Sequence, residues 1–339
     1  MVRPQADWIC VVAKHCLCVC DLGARIVWNI RWNVIRLLSI LILSVTKHRK
    51  TIAKLILFVA LVFLGDRAGG YVLSKIVGST GQRFPMIYAG KLPSDIMVLG
   101  NSRGIHMFHP PAIEKVTGRR VVNLSFNDLS PTIMPVLWSD YLQNHDPPEL
   151  LVLEISSIIV VDYPGSLERF SILMNRNQEI GEIIRERNQV HYYAAQISHL
   201  FRFNSPLTWR SLLFLKKTDQ SWIMTSQFNE NMMADTIANA DAELRRDENR
   251  MRAVRRTIEI AREHGIEVRA VVAPYAPGYF QRLDGFNDWL AWAEESLGVK
   301  ISDQTQTIQE MESFADHMHL NESGAAVFAD KLDAQGFFD

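Results

Sequence analysis

The chain has 339 residues, of which 48% are hydrophobic and 22% charged, and its formal net charge is −1. This composition indicates a globular protein with a sizeable core and excludes a disordered or fibrous chain. The sequence has no Walker loop, no dinucleotide fingerprint and no basic stripe after residue 54, so we expect no nucleotide or nucleic-acid partner.

The N-terminal segment, residues 1–50, differs from the rest of the chain in charge and in cysteine content. Residues 1–54 carry nine Lys and Arg against two Asp, whereas the remainder carries 27 basic and 35 acidic residues. The two parts should therefore face different surroundings. The spacing of the four cysteines lacks a partner set of His or Cys and does not indicate a metal site. All of them lie in this segment, at Cys10, Cys16, Cys18 and Cys20.

Residues 51–74 are predicted to form a transmembrane helix around an uninterrupted apolar run from Leu55 to Leu64. This run is shorter than the ~20 residues that a membrane span needs. However, Lys54 can snorkel at one end, and the apolar pattern continues weakly to Leu73. The alternative is a buried helix. A second apolar stretch, residues 34–45, would be either a second span or an amphipathic surface helix.

The basic residues just before the predicted span set its orientation. The positive-inside rule keeps such a flank in the cytoplasm. We therefore expect a single-pass protein of the cytoplasmic (inner) membrane whose C-terminal domain is extracytoplasmic, in the periplasm if the cell is Gram-negative. The basic residues are Lys47, Arg49, Lys50 and Lys54.

Residues 85–339 are predicted to form an α/β domain with a mainly parallel sheet, because short apolar runs alternate with helical segments. Helices are expected at 134–144, at about 240–264 with Gly265 as a C-terminal cap, at "FNDWLAWAEESLG", and after the N-cap Asn321. No strand pattern is visible over about 163–239, which predicts a helical insertion. The predicted strands are "DIMVLGN", "RRVVNLSF", "ELLVLEISSIIVV", "IEVRAVVAPY" and "VKISDQT".

Ser102 directly follows the first predicted strand, in a Gly-Asn-Ser-Arg-Gly sequence that matches the G-x-S-x-G pattern of a nucleophile elbow. Asp316 and His319 lie three residues apart before the last predicted helix. A serine hydroxyl needs an imidazole to take its proton and a carboxylate to orient that imidazole. The three would meet if all lie at the carboxyl edge of the sheet. His317 competes for the role of base, and a loop serine that caps the next segment is the alternative for Ser102.

The blocks "VLGNSR" and "DHMHLN", at opposite ends of one α/β pattern, resemble the SGNH (GDSL-like) hydrolase and acyltransferase superfamily. The resemblance covers roughly residues 95–338 and implies a three-layer, flavodoxin-like domain with a parallel sheet. It implies Ser102 as nucleophile, His319 as general base and Asp316 as its orienting partner. The Gly and Asn that donate to the oxyanion in that family have no match in "NLSFNDLSP" and "LVLEISS". Asn127 and the backbone N–H of Ser102 are the donors we expect.

Three further groups of residues bear on the site. Arg103 either binds an anionic sugar or carboxylate or is a solvated surface arginine, and Tyr275, after the fourth strand, is a candidate for lining the pocket. Two histidines three residues apart near the serine could join two near the C-terminus in a metal site, but no carboxylate-rich ligand set accompanies the four. We therefore expect neither a metal ion nor a cofactor. The histidines are His106, His109, His317 and His319.

A membrane helix combined with stretches that lack the family's Gly and Asn makes this chain look most like exported members of the superfamily. Among these are alginate O-acetylation proteins and the D-alanyl transfer proteins of teichoic acid. The resemblance implies an extracytoplasmic serine esterase or O-acyltransferase that acts on cell-surface polysaccharide through an acyl-enzyme. Its expected partners are the polysaccharide or its acyl donor, the membrane, and a membrane-bound O-acyltransferase. The alternative is a non-catalytic relative that binds polysaccharide or scaffolds a cell-envelope assembly complex.

Overall fold

The structure, a computed structural model, describes residues 7–159, 165–239 and 244–339. These residues form two compact units, whose boundary in the chain lies between Gly65 and Asp66. The described residues of the first unit are helical, and the second unit contains every strand that the structure describes.

The first helix, α1, runs from Asp7 to Gly78. Its part from His48 onward is long and apolar enough to cross a membrane. Every large hydrophobic side chain in the apolar run 55–64 is more than half exposed. This run therefore does not belong to a protein core. Residues 34–45 lie inside α1 and do not form a separate helix.

A parallel sheet of five strands organises the second unit, with the order β2-β1-β3-β4-β5. Every residue of the first three strands is buried, as expected of a sheet that is covered on both faces. The five predicted strands are confirmed, and their bounds are β1 (Ile96–Leu99), β2 (Val121–Asn123), β3 (Leu150–Glu154), β4 (Glu267–Val272) and β5 (Ile301–Asp303).

Helices connect the strands and form two groups. The helix that leads into β3, the long helix that leads into β4 and the helix that leads into β5 pack on one another, as do the helices that follow β1 and the helix that follows β5. Because crossovers between parallel strands are right-handed, the two groups cover opposite faces of the sheet. The helices after α1 are α2 (Arg83–Ile87), α3 (Ser102–Met107), α4 (Pro110–Thr117), α5 (Met134–Asn144), α6 (Gln178–Arg187), α7 (Gln189–Ile197), α8 (His199–Arg202), α9 (Pro206–Leu213), α10 (Glu230–Asn239), α11 (Glu248–Glu263), α12 (Pro277–Phe280), α13 (Phe286–Leu297) and α14 (Glu322–Ala334).

Two predicted boundaries were wrong. The third strand ends at Glu154, because the Ser156 N–H and hydroxyl donate to its carboxylate at 3.2 and 2.7 Å and turn the chain into a 3₁₀ helix. The long helix begins at Glu248 and not near 240, because the Asp247 side chain caps it. Ala240, and the last two valines of the predicted third strand, lie outside the described residues.

Other predictions agree with the structure. Helix α5 has the predicted bounds, and the Asn321 side chain accepts a hydrogen bond from the Gly324 N–H at 3.0 Å to cap α14. Gly265 follows α11 with φ +71° and donates to the Arg262 carbonyl, as a helix-ending glycine does. The described residues of the insertion, 165–239, contain helices joined by turns and irregular segments, and no strand.

Candidate active site

Ser102 begins α3 immediately after β1, at the carboxyl edge of the sheet. The Asn101 side chain caps α3 by accepting from the Arg103 N–H at 2.8 Å. Glycines on either side let this turn pack closely. A Cβ at Gly100 would lie 2.9 Å from the Glu154 Cβ, and one at Gly104 would lie 2.3 Å from the Ser125 Oγ. The sequence Gly-Asn-Ser-Arg-Gly therefore sets a close strand-to-helix turn that presents the serine.

The structure brings the three sequence-predicted catalytic residues together. The Ser102 Oγ lies 2.9 Å from the His319 Nε2, and the His319 Nδ1 lies 2.8 Å from an Asp316 carboxylate oxygen. The other carboxylate oxygen accepts from the backbone N–H groups of Met318 and His319 at 2.9 and 3.0 Å. The carboxylate is thereby fixed against its own loop, and it orients the imidazole toward the serine.

The insertion crosses the loop that carries Asp316 and His319. The Phe228 N–H donates to the Phe314 carbonyl at 2.8 Å, and the Glu322 N–H donates to the Met224 carbonyl at 2.9 Å. The Asn321 side-chain amide also donates to the Ser226 carbonyl at 3.2 Å. Residues 224–228 therefore brace this loop on both sides.

The charge state of Asp316 follows from its surroundings. Burial would raise the pKa of this carboxyl, but the hydrogen bond and charge of His319 and the Met318 N–H lower it to about 2. Asp316 is thus ionised throughout the neutral range, as a partner for an imidazolium must be.

We expect the Asp316→Asn variant to have a free energy of unfolding about 2 kcal/mol lower at pH 7. The folded-state pKa of Asp316 lies below its ordinary value, so this stabilisation is present above about pH 4 and is lost as the pH falls towards about 2. Denaturant unfolding of both proteins at stepped pH measures the difference. The exposed Asp284, replaced by Asn, is the control. A difference that does not shrink with falling pH would contradict the prediction.

His106, which sequence reasoning grouped with the other histidines, packs beside the base. Its ring centroid lies 5.2 Å from that of His319 and 4.8 Å from that of Trp222. Burial, and then the charge of His319, lower the pKa of His106 to about 3. His106 is therefore a neutral neighbour of the base in the neutral pH range.

The remaining histidines occupy other places. The His317 ring lies 4.5 Å from that of Tyr279, and burial lowers the pKa of His317. The His109 Nε2 lies 3.3 Å from the Ser221 carbonyl oxygen. Among the described residues, His319 is the histidine whose ring nitrogen contacts Ser102.

Arg103 is 1% exposed and has its donors engaged inside the protein. The guanidinium contacts the Glu154 carboxylate at 3.4 Å and donates to the Met318 carbonyl at 2.8 Å and to the Ala273 carbonyl. It lies 3.7 Å from the ring centroid of Tyr275, which is also buried. These contacts favour a positioning role for both Arg103 and Tyr275 over the substrate binding predicted from the sequence.

The predicted oxyanion donors lie near the serine's helix. The Ser102 N–H is in the first turn of α3, where backbone amides have no partner within the helix. Asn127 is half-buried and lines a cavity beside α3. After β3, where the resemblance called for an Asn, the Ser156 hydroxyl is instead bonded to Glu154.

The cavity has a volume of about 370 Å³ and includes Ile105, one helical turn after Ser102. Most of its wall comes from the insertion. The sequence predicted this insertion but did not indicate which of its residues line a cavity. The Arg210 guanidinium lies 4.3 Å from the Trp222 ring centroid and forms no ion pair with the residues that the structure describes. Other apolar lining residues are Phe126, Leu207, Trp209, Leu213 and Phe214.

No protein-family model matches this chain, and no curated protein matches it either. The fold and the site by themselves define an α/β protein with a hydrogen-bonded Ser-His-Asp set at the carboxyl edge of its sheet.

Proposed function

We propose that this protein is a serine esterase or O-acyltransferase of SGNH type that forms an acyl-enzyme on Ser102. The observation that carries the proposal is the continuous hydrogen-bond path from the Ser102 Oγ through His319 to Asp316, with distances of 2.9 and 2.8 Å. This is the arrangement that activates a serine hydroxyl. The sheet order and the position of the serine after β1 agree with the flavodoxin-like SGNH domain that the sequence resembles.

In the proposed mechanism, the His319 Nε2 takes the Ser102 proton while the Oγ attacks the ester carbonyl. The tetrahedral intermediate places its negative oxygen on the Ser102 N–H and the Asn127 amide. Its C–O bond to the leaving alcohol then breaks, and His319 returns the proton to that alkoxide. Water, or a sugar hydroxyl, next gives its proton to His319 and attacks the carbonyl of the acyl-enzyme. The bond from the acyl carbon to the Ser102 Oγ then breaks, and His319 returns the proton to that Oγ.

The proposed location is the cytoplasmic membrane, with α1 as a single span and the α/β domain outside the cytoplasm. The exposed apolar run 55–64 and the basic residues before it support this topology. We propose cell-surface polysaccharide or its acyl donor as the substrate, with a membrane-bound O-acyltransferase as the partner. These proposals rest on the superfamily resemblance.

Labelling with a serine-reactive fluorophosphonate tests the proposed nucleophile. We expect a single adduct on Ser102 in the full-length protein and its loss in the Ser102→Ala variant. Ser125→Ala is the matched control, since this serine lies beside α3 but does not contact His319. A folded protein that takes no label and cleaves no ester would contradict the proposal.

Because the cationic Arg210 side chain lines the cavity, we expect a preference for substrates that carry a negative charge. The Arg210→Gln variant should lose about 10- to 100-fold in kcat/KM for mono-p-nitrophenyl succinate, because a charged hydrogen bond is worth about 1.5–3 kcal/mol. Cleavage of p-nitrophenyl butyrate, which has the same chain length and no charge, should change little. The surface variant Arg256→Gln is the control, and equal losses on both esters would contradict the prediction.

A non-catalytic relative that binds polysaccharide or scaffolds an assembly complex is the second candidate. The observation that favours it is the Ser156–Glu154 pair, which occupies the place where an oxyanion donor was expected. Under this function, the Ser102→Ala variant keeps full biological activity.

A further inference from the structure

Exposed apolar side chains are concentrated in one part of the α/β unit. Among the described residues after Gly78, twelve large hydrophobic side chains are exposed, and ten of them lie between positions 190 and 222. Scattered exposed hydrophobic residues are normal, but a concentration of them marks an interaction surface.

Helix α7 carries the most exposed of these side chains on one face. Val190, Tyr193 and Ile197 are 81%, 55% and 72% exposed, and their spacing of three and four residues places them on one helical stripe. Leu200 and Phe201 of α8 are exposed as well, by 45% and 37%. We refer to these five residues as the α7–α8 surface.

The α7–α8 surface is attached to the part of α1 that directly follows the apolar run. The Asp66 carboxylate accepts from the backbone N–H groups of His199 and Leu200 at 2.8 and 3.0 Å and so caps α8. Two glycines allow close contact: a Cβ at Gly69 would lie 2.8 Å from a Leu200 methyl carbon, and one at Gly70 would lie 2.3 Å from the His199 Cβ. Helix α8 is therefore held on the first turns of α1 beyond residue 65.

The apolar run is too short to cross a bilayer by itself. From Leu55 to Leu64 a helix rises about 15 Å, at about 1.5 Å per residue, whereas the hydrocarbon core is about 30 Å thick. A short apolar run crosses a bilayer only with thinning of the bilayer or with help from its flanking residues, and further apolar surface near one of its ends would add to its anchoring. Because Asp66 comes two residues after Leu64, the helix that it caps would lie at the membrane boundary if α1 spans the bilayer as proposed.

We propose that the α7–α8 surface lies in the interfacial layer of the bilayer and that lipid is its partner. The surface would hold the domain of Ser102 against the membrane. An amphipathic helix that lies in the interface buries its apolar face in this way. This inference rests on the proposed membrane span of α1 and not on the chemistry proposed for Ser102.

Spin-label accessibility in nanodiscs of phosphatidylethanolamine and phosphatidylglycerol tests the inference. The four cysteines of the full-length protein are replaced by Ser, and a nitroxide is attached in turn at Leu57→Cys, Ile197→Cys or Val327→Cys. Leu57 belongs to the apolar run, and Val327 is a 40% exposed apolar residue of α14. The measurement is the accessibility of each label to oxygen relative to its accessibility to a water-soluble nickel chelate. We expect this ratio at position 197 to be closer to the ratio at 57 than to the ratio at 327.

Each other outcome has a distinct meaning. A label at 197 that matches the aqueous value at 327, while 57 is in lipid, overturns the inference but leaves the span intact. Protection of 197 from both reagents also overturns it, because protein and not lipid then covers the surface. An aqueous label at 57 overturns the span and this inference together, whereas the fluorophosphonate experiment tests the chemistry of Ser102 separately.

Discussion

The His319→Ala variant should acylate Ser102 about 10⁴-fold more slowly than the wild type, or slower still, whereas His317→Ala should acylate at close to the wild-type rate. The His319 Nε2 is 2.9 Å from the Ser102 Oγ, so its removal leaves the hydroxyl without a base. Loss of a member of a Ser-His-Asp set has effects of this size. The His317 ring packs on Tyr279 and has no part in the proton path.

The rate of fluorophosphonate adduct formation, followed by mass spectrometry, measures both variants under the same conditions. The two histidines lie on one loop and differ in position by two residues, so general disturbance of the loop would slow both. A larger loss in His317→Ala than in His319→Ala would contradict the assignment of the base.

The Arg103→Met variant should lose about 3–5 kcal/mol of unfolding free energy. Its guanidinium is the ionic partner of Glu154, and both side chains are fully buried, with exposures of 1% and 0%. Removing one member of a buried pair leaves an uncompensated charge in the core. The carbonyls of Met318 and Ala273 would lose their donor as well.

Denaturant unfolding of the detergent-solubilised protein measures this loss, and the Arg120→Met variant is the matched control. Arg120 pairs with Asp95, but its side chain is 63% exposed, so we expect a loss below about 1 kcal/mol. Similar small losses in both variants would show that the Arg103–Glu154 pair contributes little to stability.

The sequence predicted the elements that depend on local pattern. The five strands followed from continuous apolar runs, and the caps at Asn321 and Gly265 followed from residue types with few alternatives. Ser102, Asp316 and His319 were predictable because parallel strands bring their carboxyl ends to one edge, where residues far apart in the chain meet.

Long-range contacts account for what was not predicted. The sequence indicated Arg103 as a substrate-binding or solvated residue, because nothing local shows that Glu154 and two distant carbonyls surround it. The cavity wall was not assigned, because Trp222 and Arg210 come from an insertion with no strand pattern to fix its position. The end of β3 was missed because an apolar run continues past Glu154, and only the Ser156 hydrogen bonds turn the chain.

Residues 224–228 couple the folding of the insertion to that of the catalytic loop. Their hydrogen bonds to Phe314, Asn321 and Glu322 lie on both sides of the loop with Asp316 and His319. Local opening of the insertion would release these bonds, so amides of both segments should exchange with solvent as one subglobal unit. The insertion is therefore not a detachable module: a deletion variant would lose the order of its catalytic loop even though the sheet and the serine remained.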